Sequence, residues 1–249
     1  MEVHHHPDLH HKRKKFKEYF LEFLMIFLAV TLGFFAESLR EHMVELNIEK
    51  QYVKSFYEDL TADENDLQKT INYLDDQARI ADSLSLLMTN ISTTQSANLI
   101  YMYLRQITRS SGALINVNDR TIVQLRNAGG MRLIRNKSVS DSMVAYYKEV
   151  DYLQFLFDES LTLKRSLREK FQPLLNAGDF AKIIDNNNQI INPADTLHLR
   201  SADPNIINNC LLEINNIKGL SIGTTKRIEA LKKRATNIKE FIGKEYHLE

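Results

Sequence analysis

Histidine is the first chemistry this sequence offers. His4, His5, His6, His10 and His11 crowd the first eleven residues, interrupted by Pro7, Asp8 and Leu9. Neutral imidazoles ligate zinc, nickel or copper well, which makes the tract a weak metal-binding candidate. It has no apolar periodicity, and the simpler reading is a polar, flexible tail over residues 1–15. Beyond it only His42, His198 and His247 remain, too scattered in the chain for any spacing to tie them together. The carboxylates Asp59, Asp63, Glu64 and Asp66 read as a solvated helix face. Lys226, Arg227, Lys232, Lys233 and Arg234 alternate with apolar residues and need only solvation. Cys210 is the only cysteine, so no intramolecular disulfide can form, and it reads as a small buried apolar residue. No phosphate-cradling glycine loop, nucleophile elbow, HExxH pair or paired-cysteine metal site occurs. The expectation is a protein with no catalytic residue and no cofactor, and not an enzyme.

The elements that would position these groups begin with Phe20 to Glu41. Its uncharged heart, Phe23 to Ala36, spans about 21 Å as a helix, short of the roughly 30 Å hydrocarbon core of a bilayer. The flanks Tyr19 to Glu22 and Glu37 to Leu39 extend it from one interface to the other. Phe23, Leu24, Ile26, Phe27, Leu28, Val30, Leu32, Phe34 and Phe35 make it apolar on every side, as a membrane anchor requires and a buried soluble helix does not. No small-x-small cleavage site follows Gly33, which argues against a signal peptide. Lys12, Arg13, Lys14, Lys15 and Lys17 precede it, so the positive-inside rule keeps the N-terminus cytoplasmic and exports the rest. Glu22 is the one residue of this stretch that could carry chemistry. It either snorkels to the cytoplasmic interface or pairs with Lys15 or Lys17, or it serves as a partner contact or proton-linked carboxylate inside a membrane complex.

Acids and bases balance at 32 each, which removes any global electrostatic case for nucleic acid. With 43% hydrophobic and 26% charged residues the chain should fold, and eight glycines, four prolines and no tryptophan favour long helices. Between Gly33 and Gly112 there is neither glycine nor proline, so the anchor helix is expected to continue outward, with Val53, Phe56, Tyr57, Leu60, Leu67, Ile71, Leu74, Ala78, Ala81, Leu84 and Leu87 at helical spacing. Thr61 to Glu64 permit a bend. Tyr52, Tyr57 and Tyr73 read as core edge. Thr93 and Thr94 cap a second helix that ends at Ser110 to Gly112, and Asn118 or Asp119 caps a short one closed by Gly129 and Gly130. A long helix follows from Lys137 to Asn176. Ala177 to Pro204 is irregular, with Ile183, Ile184, Ile190 and Ile191 as a possible short strand pair around Asn186 to Asn188. Two further helices are expected, Asn205 to Lys218 and Ser221 to Tyr246. The fold class is therefore all-α: a tail (1–15), an anchor helix (16–41) and a periplasmic helical domain (42–249) with an irregular insertion near 177–204.

The stretches KKFKEYFLEFLMIFLAVTLGFFAESLREH (Lys14 to His42), EKQYVKSFYEDLTAD (Glu49 to Asp63), TIVQLRNAGGMRLIRNKSVSDSMVAYY (Thr121 to Tyr147) and KEYHLE (Lys244 to Glu249), together with the histidine-rich start, closely resemble a group of Bacteroidota single-span envelope proteins of unknown function. The resemblance covers most of the chain, with no matching motif from Ala177 to Ser201. It implies that the histidines are native and that Glu22 belongs to the anchor's pattern. It brings no activity.

The expected function is that of an inner-membrane scaffold or accessory subunit. Its partners would be the lipid bilayer and either further copies of itself or an envelope protein. Two alternatives remain: a sensor, which would need a concave pocket with convergent polar groups, and a subunit of an ion-driven envelope complex using Glu22.

Overall fold

The computed structural model describes residues 15–91, 95–109 and 115–248. Among them the chain is all-α, with α1 (Phe16–Thr89), α2 (Gln95–Thr108), α3 (Arg120–Asn127), α4 (Lys137–Phe171), α5 (Ala177–Ala181) and α6 (Pro204–Tyr246). Two compact units are distinguished, residues 1–50 and 51–249, and α1 contributes to both.

In the first unit α1 carries the apolar stretch, and its large apolar side chains from Phe16 to Leu46 are exposed apart from half-buried Leu24. The Phe23 and Phe27 rings lie one turn apart, with centroids 6.1 Å from each other. Thr31, the polar side chain within this run, donates its hydroxyl to the Phe27 carbonyl at 2.7 Å. A hydroxyl satisfied within its own helix can enter hydrocarbon at little cost.

The second unit is built from heptad seams. On α1 the buried residues Val53, Leu60, Leu67, Leu74, Ala81 and Met88 recur every seven positions, with Phe56, Asp63, Thr70, Gln77 and Leu84 between them. On α6 the same period runs through Ile214, Ser221, Ile228, Ala235 and Ile242, alternating with Cys210, Ile217, Thr224 and Leu231. On α4 it runs through Met143, Phe157, Lys164 and Phe171. A 3.5-residue repeat keeps each seam facing its neighbours.

Two apolar clusters fix the helix directions. One joins Val53–Leu74 of α1, Val139–Phe157 of α4 and Ile228–Ile242 of α6. The other joins Ala81–Met88, Leu167–Phe171 and Cys210–Ile217, with Ile100, Leu104 and Ile107 of α2. Within this unit α4 therefore runs parallel to α1, and α6 antiparallel to both. The seams turn polar between the clusters, at Gln77, Lys164, Ser221 and Thr224, all buried.

Several elements depart from expectation. Residues 204–246 form one helix instead of two. No atom outside its own helix lies within 4 Å of where a Cβ would stand at Gly219 or Gly223. A glycine in a helix costs about 1 kcal/mol, less than the burial on either side of it supplies. The long helix α4 stops at Phe171, where Pro173 follows in a 3-10 turn, and Asn176 instead caps the short α5 by accepting from the Gly178 and Asp179 amides. The isoleucine pair is a single antiparallel bridge, Ile184 to Ile190. Around it, Ile191 N donates to Ile183 O at 3.0 Å and Asp185 N to Gln189 O at 3.0 Å. Asp119 sits at the N-cap position of α3 without a side-chain bond to it. No bend is required at Thr61, whose hydroxyl donates to Tyr57 O within an unbroken α1. The caps expected at Thr93 and Thr94 and the stop at Ser110 to Gly112 lie outside the described residues.

Candidate functional site

The tail residues His4, His5, His6, His10, His11, Lys12, Arg13 and Lys14 lie outside the described residues. Lys15 and Lys17 stand exposed at the start of α1, and Glu22 is half-buried one turn further on. His42 lies on α1, His198 in the segment after α5, and His247 in the left-handed position that ends α6. Among the described residues no group of three or more His, Cys, Asp or Glu is arranged to hold a metal ion. Cys210 is buried. Desolvation pushes its thiol up to about 12, with a smaller opposing pull from Lys170, so it stays protonated.

The acidic residues of α1 overturn the solvated-face reading at two positions. Asp59 is 3% exposed and Asp63 fully buried. Asp59 Oδ2 accepts from the Thr121 amide at 3.2 Å and from the Thr121 hydroxyl, while Arg120 donates to Oδ1 at 3.0 Å. It thus caps the N-terminus of α3 from another helix, where a negative charge is favoured. Asp63 accepts from the Asn118 amide (2.8 Å), the Asn118 side chain (2.9 Å) and the Tyr146 hydroxyl (2.8 Å). Burial raises the Asp63 carboxyl above its ordinary value, against the pull of these hydrogen bonds. Every acceptor here is spoken for by structure, which makes the pair a clamp on the loop before α3.

The basic residues form the more open arrangement. Arg105 and Arg109 lie one turn apart on the last turn of α2 and just beyond it, Arg168 near the end of α4, and Arg200 in the segment leading to α6. They line two adjoining hollows. One, of about 180 Å³, is bounded by Arg105, Thr108, Arg109, Arg168, Ile184, Asn188 and Ile190. The other, of about 560 Å³, is bounded by Leu104, Arg105, Arg168, Gln172, Leu175, Phe180 and Arg200 among others. Arg105 and Arg168 belong to both. Among the described residues no carboxylate forms an ion pair with any of the four arginines.

Distant hydrogen bonds hold the walls in place. Asn98 of α2 accepts from the Leu197 amide at 2.8 Å and donates to Asp195 O at 3.0 Å. The Tyr101 hydroxyl accepts from the Asn176 amide at 2.7 Å and donates to His198 O at 3.0 Å. Arg200 N donates to Leu174 O at 2.8 Å. The Arg105 guanidinium lies 5.5 Å from the centre of the Phe180 ring, so cation–π attraction helps to fix one side chain of the cleft. Behind the cleft stands Lys164, 1% exposed, whose ammonium donates to the Tyr73 hydroxyl at 2.7 Å and to Arg109 O at 3.4 Å. Burial and then the charge of Arg168 bring it down to about 8. Burial also pushes the Tyr73 phenol up to about 12. Tyr73 is thus more than core edge, being the polar partner of a buried amine.

The balanced net charge concealed this cleft. A regional count exposes its signal: between Asp82 and Asp141 the only acid is Asp119, against seven Arg and Lys. The chain folds two of those bases, Arg105 and Arg109, against Arg168 and Arg200. Comparison with protein-family models, curated proteins and solved structures finds no match.

Proposed function

We propose that this protein is a membrane-anchored, non-enzymatic binding scaffold or accessory subunit of the bacterial inner membrane, with a cytoplasmic N-terminus and a periplasmic helical domain. It would act as an oligomer or beside an envelope partner. The observation that carries the reading is α1, a helix long and apolar enough to cross a membrane, whose most apolar window has no residue buried inside the protein. Exposed Phe, Leu and Ile all round a helix are unfavourable in water and favoured in lipid. Lys15 and Lys17, with the basic residues before them, supply the orientation.

Single-cysteine labelling tests it, because buried Cys210 gives little background. A membrane-impermeant maleimide applied to intact spheroplasts should label Asn186→Cys, in an exposed turn, and leave Lys17→Cys unlabelled until the membrane is opened. The reverse pattern overturns the orientation. Release of the protein from membranes by alkaline carbonate overturns the anchor.

The sensor alternative gains one specific support, the arginine-lined cleft, which supplies the concave pocket with convergent polar groups that it requires. Ligand binding there would be the input of such a subunit.

A further inference from the structure

We infer that the cleft between α2, the end of α4 and the 175–200 segment binds a small anionic amphiphile, one oxyanion head joined to a short apolar body. Arg105, Arg109 and Arg168 border the smaller hollow without a carboxylate partner among the described residues. Guanidinium groups present paired donors that match carboxylate or phosphate oxygens. Structural arginines ordinarily find an acid, and here Arg109 donates instead to the Asn188 backbone carbonyl at 3.4 Å while Arg105 lies over the Phe180 ring. The larger hollow continues from the same Arg105 and Arg168 onto Leu104, Leu175 and Phe180. Its volume of about 560 Å³ lies within the range of small-molecule sites. A wholly polar anion would leave that apolar shelf wet, and a neutral apolar ligand would bury guanidinium groups with no acceptor. The buried ammonium of Lys164, which donates to the carbonyl of Arg109, adds positive potential behind the head position.

This inference deepens the binding-protein reading, and its test is independent of the labelling experiment: titration reads the cleft, labelling reads the anchor. The full chain is placed in phosphatidylcholine nanodiscs and titrated calorimetrically with hexyl phosphate, hexanoate, inorganic phosphate and hexyl glucoside. Saturable binding of hexyl phosphate or hexanoate is expected, at least about tenfold tighter than inorganic phosphate or hexyl glucoside. Arg168 is exposed, and Arg168→Gln should leave the helical circular-dichroism spectrum unchanged while weakening binding by about tenfold. Phe180→Ala should erase the advantage of hexyl phosphate over inorganic phosphate. Repeating the titration in discs containing phosphatidylglycerol separates the sources of such a head group. A fall in apparent affinity marks the lipid itself as occupant, an unchanged affinity marks a soluble anion, and both support the site. Absence of saturable binding to the wild-type chain, or equal binding by wild type and Arg168→Gln, overturns it.

Discussion

Buried charge is where single residues decide most in this protein. Lys164 occupies a seam position that its heptad would give to an apolar side chain, and its amine is held at about 8 against the usual 10.5 by desolvation and by Arg168. Between those two values the unfolded chain binds the proton more tightly. Stability from this group is therefore present above the unfolded value, declines as pH falls, and is lost below about 8. Replacing Lys164 by Met removes the dependence. The stability difference between Lys164→Met and wild type should narrow as pH rises from 7 to 10, by at most about 1.4 kcal/mol per pH unit, measured by urea unfolding. Parallel curves would mean that the amine stays charged over that range. Asp63, Thr70, Gln77 and Lys164 also show why the seams were only half legible. A search for apolar residues at helical spacing skips buried polar positions, yet these four keep the seven-residue register as faithfully as Leu67 or Leu74. Thr70 satisfies its hydroxyl on Asp66 O at 2.9 Å and Asp63 through the clamp, whereas Gln77 Oε1 has no hydrogen-bond partner among the described residues.

At the level of elements, scarce glycine and proline favour the long helices, and α6 runs unbroken through Gly219 and Gly223, where two helices are expected from the sequence. Gly219 falls between Ile217 and Ser221, both buried, so a break there would have opened the seam on each side. If helicity is held by burial alone, both glycines only add freedom to the unfolded chain. Gly219→Ala and Gly223→Ala should each stabilise by about 0.5–1 kcal/mol, raising the thermal midpoint by roughly 2 °C apiece. A lowered midpoint in a circular-dichroism melt would show that α6 needs to flex there. The short elements were less legible because partners distant in sequence define them. The N-terminus of α3 takes its cap from Asp59 on α1, and the 175–200 segment takes its shape from Asn98 and Tyr101 on α2. Neither relation leaves a local pattern.

Across the whole molecule the same distance effect hid the cleft, since its four arginines come from three parts of the chain and their charge vanishes into a neutral total. The pairing of α1 with α6 has a further consequence, one of timing. Lys232, Thr236 and Lys239 of α6 bond to Gln68 and Glu64 of α1, and Lys218 and Thr225 to Asp82 and Asp75. Synthesis delivers α1 before the other described helices and α6 after them, so the wall from Val53 to Met88 waits for α6 until residues 204–246 have been made. A chain stopped at Ser201 should be degraded rapidly by protease while the full chain resists. Equal resistance would show that α1, α2 and α4 close the core unaided. On the first of these outcomes, an interrupted copy is one whose apolar α1 seam, Val53 to Met88, is left uncovered where α6 would lie.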